Sequence, residues 1–177
     1  MPLPRPHGFT WTELLAVLAV AGILAGVTLP ALGEALARHH LRAAANDMMD
    51  ALARTRATAV RRNHPTTLCA SRDGRACAPS SDWTQGWIGK DKELSTIFEA
   101  MGPLDGRLSV GRRPGRHAFT FDPNGTCPAS NQTITLCVTG RPATAISIVV
   151  AKSGRARRKT ATPEDAAACA SQLSRKR

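Results

Sequence analysis

Gly8-Phe9-Thr10-Trp11-Thr12-Glu13-Leu14-Leu15 opens the longest apolar run of the chain. A short leader, Met1 to Gly8, precedes it and carries Arg5 and His7. From Leu14 to Leu29 no side chain is charged. A membrane-crossing helix needs about 20 apolar residues, and Phe9 to Ala31 supplies that length. Glu13 stands just inside the run. A charge at the centre of a membrane helix costs roughly 2.5–3.5 kcal/mol on insertion scales. Near the edge the cost is lower, but the carboxylate still needs a purpose. A secretory signal would end a shorter apolar core at a small-x-small cleavage site. A plain anchor has no use for Glu13, or for a glycine directly ahead of Phe9.

Beyond Pro30 the apolar residues recur at threes and fours: Leu32, Leu36, Leu41, Ala44-Ala45, Met48-Met49, Leu52-Ala53, Ala57 and Val60. That spacing predicts an amphipathic helix. Its polar face carries Glu34, Arg38, Arg42, Asp47, Asp50, Arg54 and Arg56. One long helix from Phe9 to about Arg62 is predicted, kinked or loosened at Pro30, which lacks the amide hydrogen for its place in the ladder. The expected division is 9–30 as a transmembrane segment and 31–62 as a helix packed on a globular head.

The composition changes at Asn63-His64-Pro65. Short β-leaning runs follow, separated by Gly, Pro, Asn and Asp. They are Thr66 to Ala70, Trp83 to Ile88, Ser95 to Phe98, Arg107 to Val110, His117 to Phe121, Thr133 to Val138 and Ala145 to Ala151. Antiparallel sheets are predicted over a head of 63–162, with the apolar Ala145 to Ala151 central. The basic tail 163–177 is expected to be loosely held apart from Cys169. The fold class is α+β. Trp83 and Trp87 are assigned to the core, and Gly86 and Gly125 to tight turns.

The 177 residues carry a net charge of +11, which favours polyanionic partners. All five cysteines follow residue 68. No His lies at a metal-ligand spacing from them, so disulfides in an oxidising compartment are expected, with Cys69 and Cys77 closing a short turn. No Ser-His-Asp or Cys-His grouping has motif context, so the chain is read as neither an enzyme nor a cofactor binder. Lys152, Arg155, Arg157, Arg158 and Lys159 crowd eight residues. Between Lys152 and Arg177 eight basic residues face only Glu164 and Asp165. In an extended segment Arg155 and Arg157 point to one side, and guanidinium forks pair well with phosphates.

The start of the chain resembles the class III signal of type IV pilins and pseudopilins. The resemblance implies cleavage by a prepilin peptidase between Gly8 and Phe9, methylation of the new Phe9 amine, and an assembly role for Glu13. Further on, Cys69 to Cys77 with its Ser-Arg-Asp-Gly turn, Asp82-Trp-Thr-Gln-Gly-Trp87, Phe119-Thr-Phe-Asp-Pro-Asn-Gly125 and Ser153-Gly-Arg-Ala-Arg157 resemble, in that order, the FimT/GspH family of minor pilins. The likeness covers Gly8 to about Lys159. It implies a type IV pilin-like fold, a long N-terminal helix on a C-terminal head of antiparallel sheets. It also implies an inner-membrane subunit with a periplasmic head, later part of a pilus fibre, with other pilins as partners. Some FimT-type pilins contact DNA through a Gly-Arg-x-Arg segment, which Gly154-Arg155-Ala156-Arg157 matches. The resemblance therefore implies largely nonspecific DNA binding by Arg155 and Arg157, joined by Lys152, Arg158 and Lys159, in natural transformation. The alternative is a GspH-type pseudopilin of type II secretion. The family pattern suggests Cys137–Cys169 as a second disulfide, leaving Cys127 odd. Cys127–Cys137 across a hairpin, with Cys169 free, competes with it.

Overall fold

The computed structural model describes residues 10–79, 82–112, 118–129 and 131–171, without the side chains at 25, 27–31 and 112. Helix α1 runs from Trp11 to Arg62, unbroken through Pro30. Its start is a capping box. Thr10 Oγ1 accepts from the Glu13 amide at 3.3 Å, and the Glu13 carboxylate accepts from the Thr10 amide at 2.9 Å. Two of the orphan amides at a helix start are satisfied this way. Glu13 thus has a local structural role in addition to any role in assembly.

The chain divides into two compact units, residues 1–36 and 37–177. In the first, Trp11, Leu14, Leu15, Val17, Leu18, Val20, Ile23 and Leu24 are all exposed. Among the described residues no helix is long and apolar enough to cross a membrane. The expected membrane span at 9–30 is therefore not established. Alanine, glycine and threonine are interspersed among its larger apolar residues, Glu13 sits at one end, and several of its side chains lie outside the description.

In the second unit the inner face of α1, from Ala37 through Leu41, Ala45, Met48 and Leu52 to Ala59, is buried. Two four-stranded antiparallel sheets share its core. Sheet 1 comprises β1 (Thr66–Ala70), β2 (Trp87–Asp91), β3 (Ile97–Met101) and β5 (Ala118–Phe121), in the order β3-β2-β1-β5. Sheet 2 comprises β4 (Leu108–Arg112), β6 (Gln132–Val138), β7 (Arg141–Val150) and β8 (Ala156–Thr160), in the order β4-β6-β7-β8. Leu68, Trp87, Phe119 and Phe121 come from sheet 1, and Ile134, Leu136, Ile148 and Val150 from sheet 2. Burying a large apolar side chain contributes about 1.5–3 kcal/mol, so this shared core is the main source of cohesion. Trp83, on a single 3₁₀ turn, is fully buried edge-to-face against Phe119.

Polar ties fix how α1 seats on the sheets. Arg54 grips Glu99 of β3 with two bonds of 2.6 Å. Thr66 Oγ1 donates to the Thr55 carbonyl at 2.8 Å. The Arg56 Nε donates to the Gly125 carbonyl at 2.8 Å.

Residues 163–170, expected to be loosely held apart from Cys169, are ordered into a helix. Pro163–Ala170 forms helix α2, capped by Thr162 and packed on sheet 2. Thr162-Pro163-Glu164-Asp165 carries the cap, the N1 proline and the acidic first turn that favour a helix start. Disulfides join Cys69 to Cys77 and Cys137 to Cys169, and Cys127 is buried and takes part in neither. Gly111 of β4 lies under Cys169, where a Cβ would come within 3.0 Å of the Cys169 backbone. Residues 172–177, with Arg175, Lys176 and Arg177, are outside the description.

Asp105 begins the turn into β4. Its carboxylate accepts from the Arg107 guanidinium twice at 3.0 Å, and this holds its pKa down at about 2. A depressed carboxylate pKa stabilises the fold above the unfolded value, near 3.9, and that stability is lost as pH falls toward 2. We expect the head's melting temperature to drop across that window. Asp105→Asn should make the drop shallower; an unchanged acid profile would show that the Arg107 contact contributes nothing.

Candidate nucleic-acid interface

The basic cluster sits on the hairpin joining β7 to β8. The amide of Gly154 donates to the Ala151 carbonyl at 2.9 Å, and the Ala151 amide to the Arg155 carbonyl at 3.0 Å. Gly154 has φ +76°, the left-handed residue that closes a three-residue hairpin loop. The turn is held from two sides. The Cys127 amide donates to the Lys152 carbonyl at 2.8 Å. The Gly125 carbonyl, itself held by Arg56, lies where a Cβ on Gly154 would go, and that Cβ would also come within 2.9 Å of Arg56 Nε. Gly154 is therefore required twice, by its dihedral and by close approach. The motif's glycine is the residue that lets the hairpin dock beside α1.

The five expected basic residues do not form one patch. Strand β8 pairs with β7 through Val150↔Ala156, Val149↔Arg157, Ile148↔Arg158 and Ser147↔Lys159. Side chains alternate along a strand. Ala156 packs against the core and Arg158 donates to Asn46 of α1, so this face looks toward the helix. Arg157 and Lys159 share the opposite face and are exposed. Lys152 is exposed in the turn, and Arg155 is exposed one residue ahead of β8. Four more arginines, Arg107, Arg112, Arg113 and Arg116, fall close together in the sequence, and of these Arg107 is committed to Asp105. Arg113 and Arg116 lie outside the described residues, as does the Arg112 side chain.

Sequence reasoning missed a groove between α1 and this hairpin. It has a volume of about 540 Å³. Met49, Leu52, Ala53, Ala57 and Val60 line its helix side, and Arg56, Arg61 and Arg155 also border it. The signal was present as an apolar stripe at threes and fours that continues past the buried face. Ala53, Ala57 and Val60 are exposed although they follow that pattern. Among the described residues no group of three His, Cys, Asp or Glu could hold a metal ion. Gly8 and Phe9, the expected processing site, lie outside the description.

Residues 44–154 match the family described as Type II transport protein GspH. No curated protein matches the chain. The fold is similar to that of the type IV minor pilin FimU from Pseudomonas aeruginosa strain PAO1. One crystal form shares 20% identity over 72% of this chain and 92% of that one, with a TM-score of 0.55. A second form shares 22% identity over 67% and 91%, with a TM-score of 0.53. A long helix seated on two antiparallel sheets is thus a fold this chain has in common with a pilin. With the family match spanning most of the head, the chain belongs to the GspH family of minor pilins and pseudopilins.

Proposed function

We propose that this chain is a minor pilin that binds DNA outside the inner membrane, for uptake in natural transformation. One observation carries the reading. An exposed, strongly basic hairpin, Lys152 to Lys159, is clamped in place by Cys127, Gly125 and Arg56. A solvated surface charge has no need of such anchoring, whereas a phosphate-binding lane gains from cations held still before the ligand arrives. Arg155 and Arg157 are its centre, with Lys152 and Lys159 beside them. Arg158 serves more through its bond to Asn46. Binding directed at phosphates is weakly sequence-specific and steeply salt-dependent.

The second reading is a GspH-type subunit of type II secretion. The family match favours it, as does the split of the basic residues between two faces of β8. DNA binding by the full chain in detergent separates the two. Arg155→Gln with Arg157→Gln should lower the salt slope by about 0.9 per lost duplex contact, with similar losses on unrelated sequences. Arg72→Gln with Arg75→Gln, in the Cys69–Cys77 loop, removes the same charge elsewhere. Equal losses in the two variants, or no binding at low salt, would favour secretion.

In this proposal the segment 9–30 anchors the subunit in the inner membrane until assembly. A prepilin peptidase removes 1–8, and Glu13 neutralises the Phe9 amine of a neighbouring subunit. Intact mass of protein from its native host should show loss of Met1 to Gly8 and gain of one methyl group. Glu13→Gln retains a capping-box side chain but removes the charge, so it should leave the helix start intact and still impair incorporation into the fibre. Normal incorporation would assign Glu13 to capping alone.

The clamp itself is testable through stability. Gly154→Ala should cost at least about 2 kcal/mol, combining the positive φ with displacement of the Gly125 carbonyl. Gly140→Ala is the control. Gly140 has φ +72° but open space around it, so only the dihedral cost of roughly 1–2 kcal/mol applies. Equal losses in urea unfolding would mean that the close approach at Gly154 contributes nothing.

A further inference from the structure

The groove between α1 and the β7–β8 hairpin has a composition that duplex DNA would not use. From Met49 to Arg61 the lining extends along the helix for about 18 Å at the helical rise. Its floor is aliphatic, and Ala53, Ala57 and Val60 are exposed there among the described residues. Arg56 and Arg61 approach from the helix and Arg155 from the hairpin. A double helix offers such a surface phosphates and sugars, while its bases stay stacked inside. An unpaired strand offers both a phosphate and the flat, poorly hydrated face of a base. We infer that this groove seats a single-stranded stretch of DNA, with a base laid on the Ala53–Ala57–Val60 floor and the adjoining phosphates held by Arg61 and Arg155.

The inference rests on the DNA reading above and adds to it a strand preference and two helix residues. Arg56 is half committed, since its Nε holds the Gly125 carbonyl, so it positions the hairpin as well as lining the groove. Arg61 lies in the last turn of α1, with no such structural bond among the described residues. Charge complementarity selects a polyanion over a neutral peptide. The alanines at i and i+4 let a flat group approach the helix backbone closely. Among the described residues no aromatic ring lines the groove, so a base would gain from burial rather than from stacking.

The test compares a labelled single strand with a duplex of the same sequence, bound to the full chain in detergent across a salt series. Ala53→Gln with Ala57→Gln fills the floor without changing charge. Both sites are exposed, and glutamine is a good helix former, so the fold should hold, as thermal unfolding will check. This variant should weaken single-strand binding severalfold and leave duplex binding unchanged. Arg61→Gln should lower the single-strand salt slope by about 0.7, while Arg72→Gln should not. If both groove variants bind single strands normally while Arg155→Gln with Arg157→Gln still loses DNA, the groove proposal fails and the DNA reading stands. If the unmodified chain binds neither form, both fail. Normal DNA binding by the floor variant together with lost incorporation into fibres would assign the groove to a neighbouring subunit and overturn the proposal.

Discussion

One face of α1 decides the arrangement of the head. Small alanines alternate there with Leu41, Met48 and Leu52, and both sheets contribute to the same buried cluster. Small residues let the sheets approach the helix closely, and the larger ones fill the space between. Because the two sheets meet the helix through one core, neither can shift without opening a void beside the other. The bidentate Arg54–Glu99 pair and the Thr66–Thr55 bond then fix the helix in rotation and translation. The ion pair, at a partly exposed edge, contributes modest energy, and the Thr66–Thr55 bond satisfies two buried polar groups. Their main effect is on geometry.

That geometry reaches the basic hairpin through a short relay. The core positions Arg56, Arg56 positions the Gly125 carbonyl, and the carbonyl occupies the space that the missing Cβ of Gly154 leaves open. The cations of Lys152 to Lys159 are thus presented from a braced turn, on an edge strand. A row of cations also protects that edge against strand pairing with other chains.

Much of the framework was legible in the sequence. The threes-and-fours pattern located α1, which ends at Arg62 as predicted, and β1 spans Thr66–Ala70 as read. Ala145 to Ala151 marked β7, an inner strand of its sheet. Strand β8 was missed because Ala156–Thr160 has only one apolar residue. Its pairing comes from the turn and from β7, a tertiary influence that outweighs intrinsic preference. Helix α2 was missed although Thr162 and Pro163 carried a start signal, because the basic residues that follow it suggested an open tail. Of the groove only its helix floor was legible, as an apolar stripe that runs on past the buried face. The groove itself exists only where residues 49–61 meet 154–156, and that contact depends on strand register and the hairpin turn. The grouping of Arg155 with Arg157 was read from an extended segment, whereas Arg155 precedes the strand and borders the groove.

The Cys137–Cys169 bond has a topological effect. It closes a covalent ring of chain that contains β7, the basic hairpin, β8 and most of α2. The exposed arginines and lysines of that hairpin are natural targets for trypsin-like proteases. A single cut there opens the ring without dividing the molecule. Both new ends stay in place, one held by pairing within sheet 2 and the other by the sulfur bridge beneath α2. A chain nicked there would therefore remain one particle, and only reduction would release the piece.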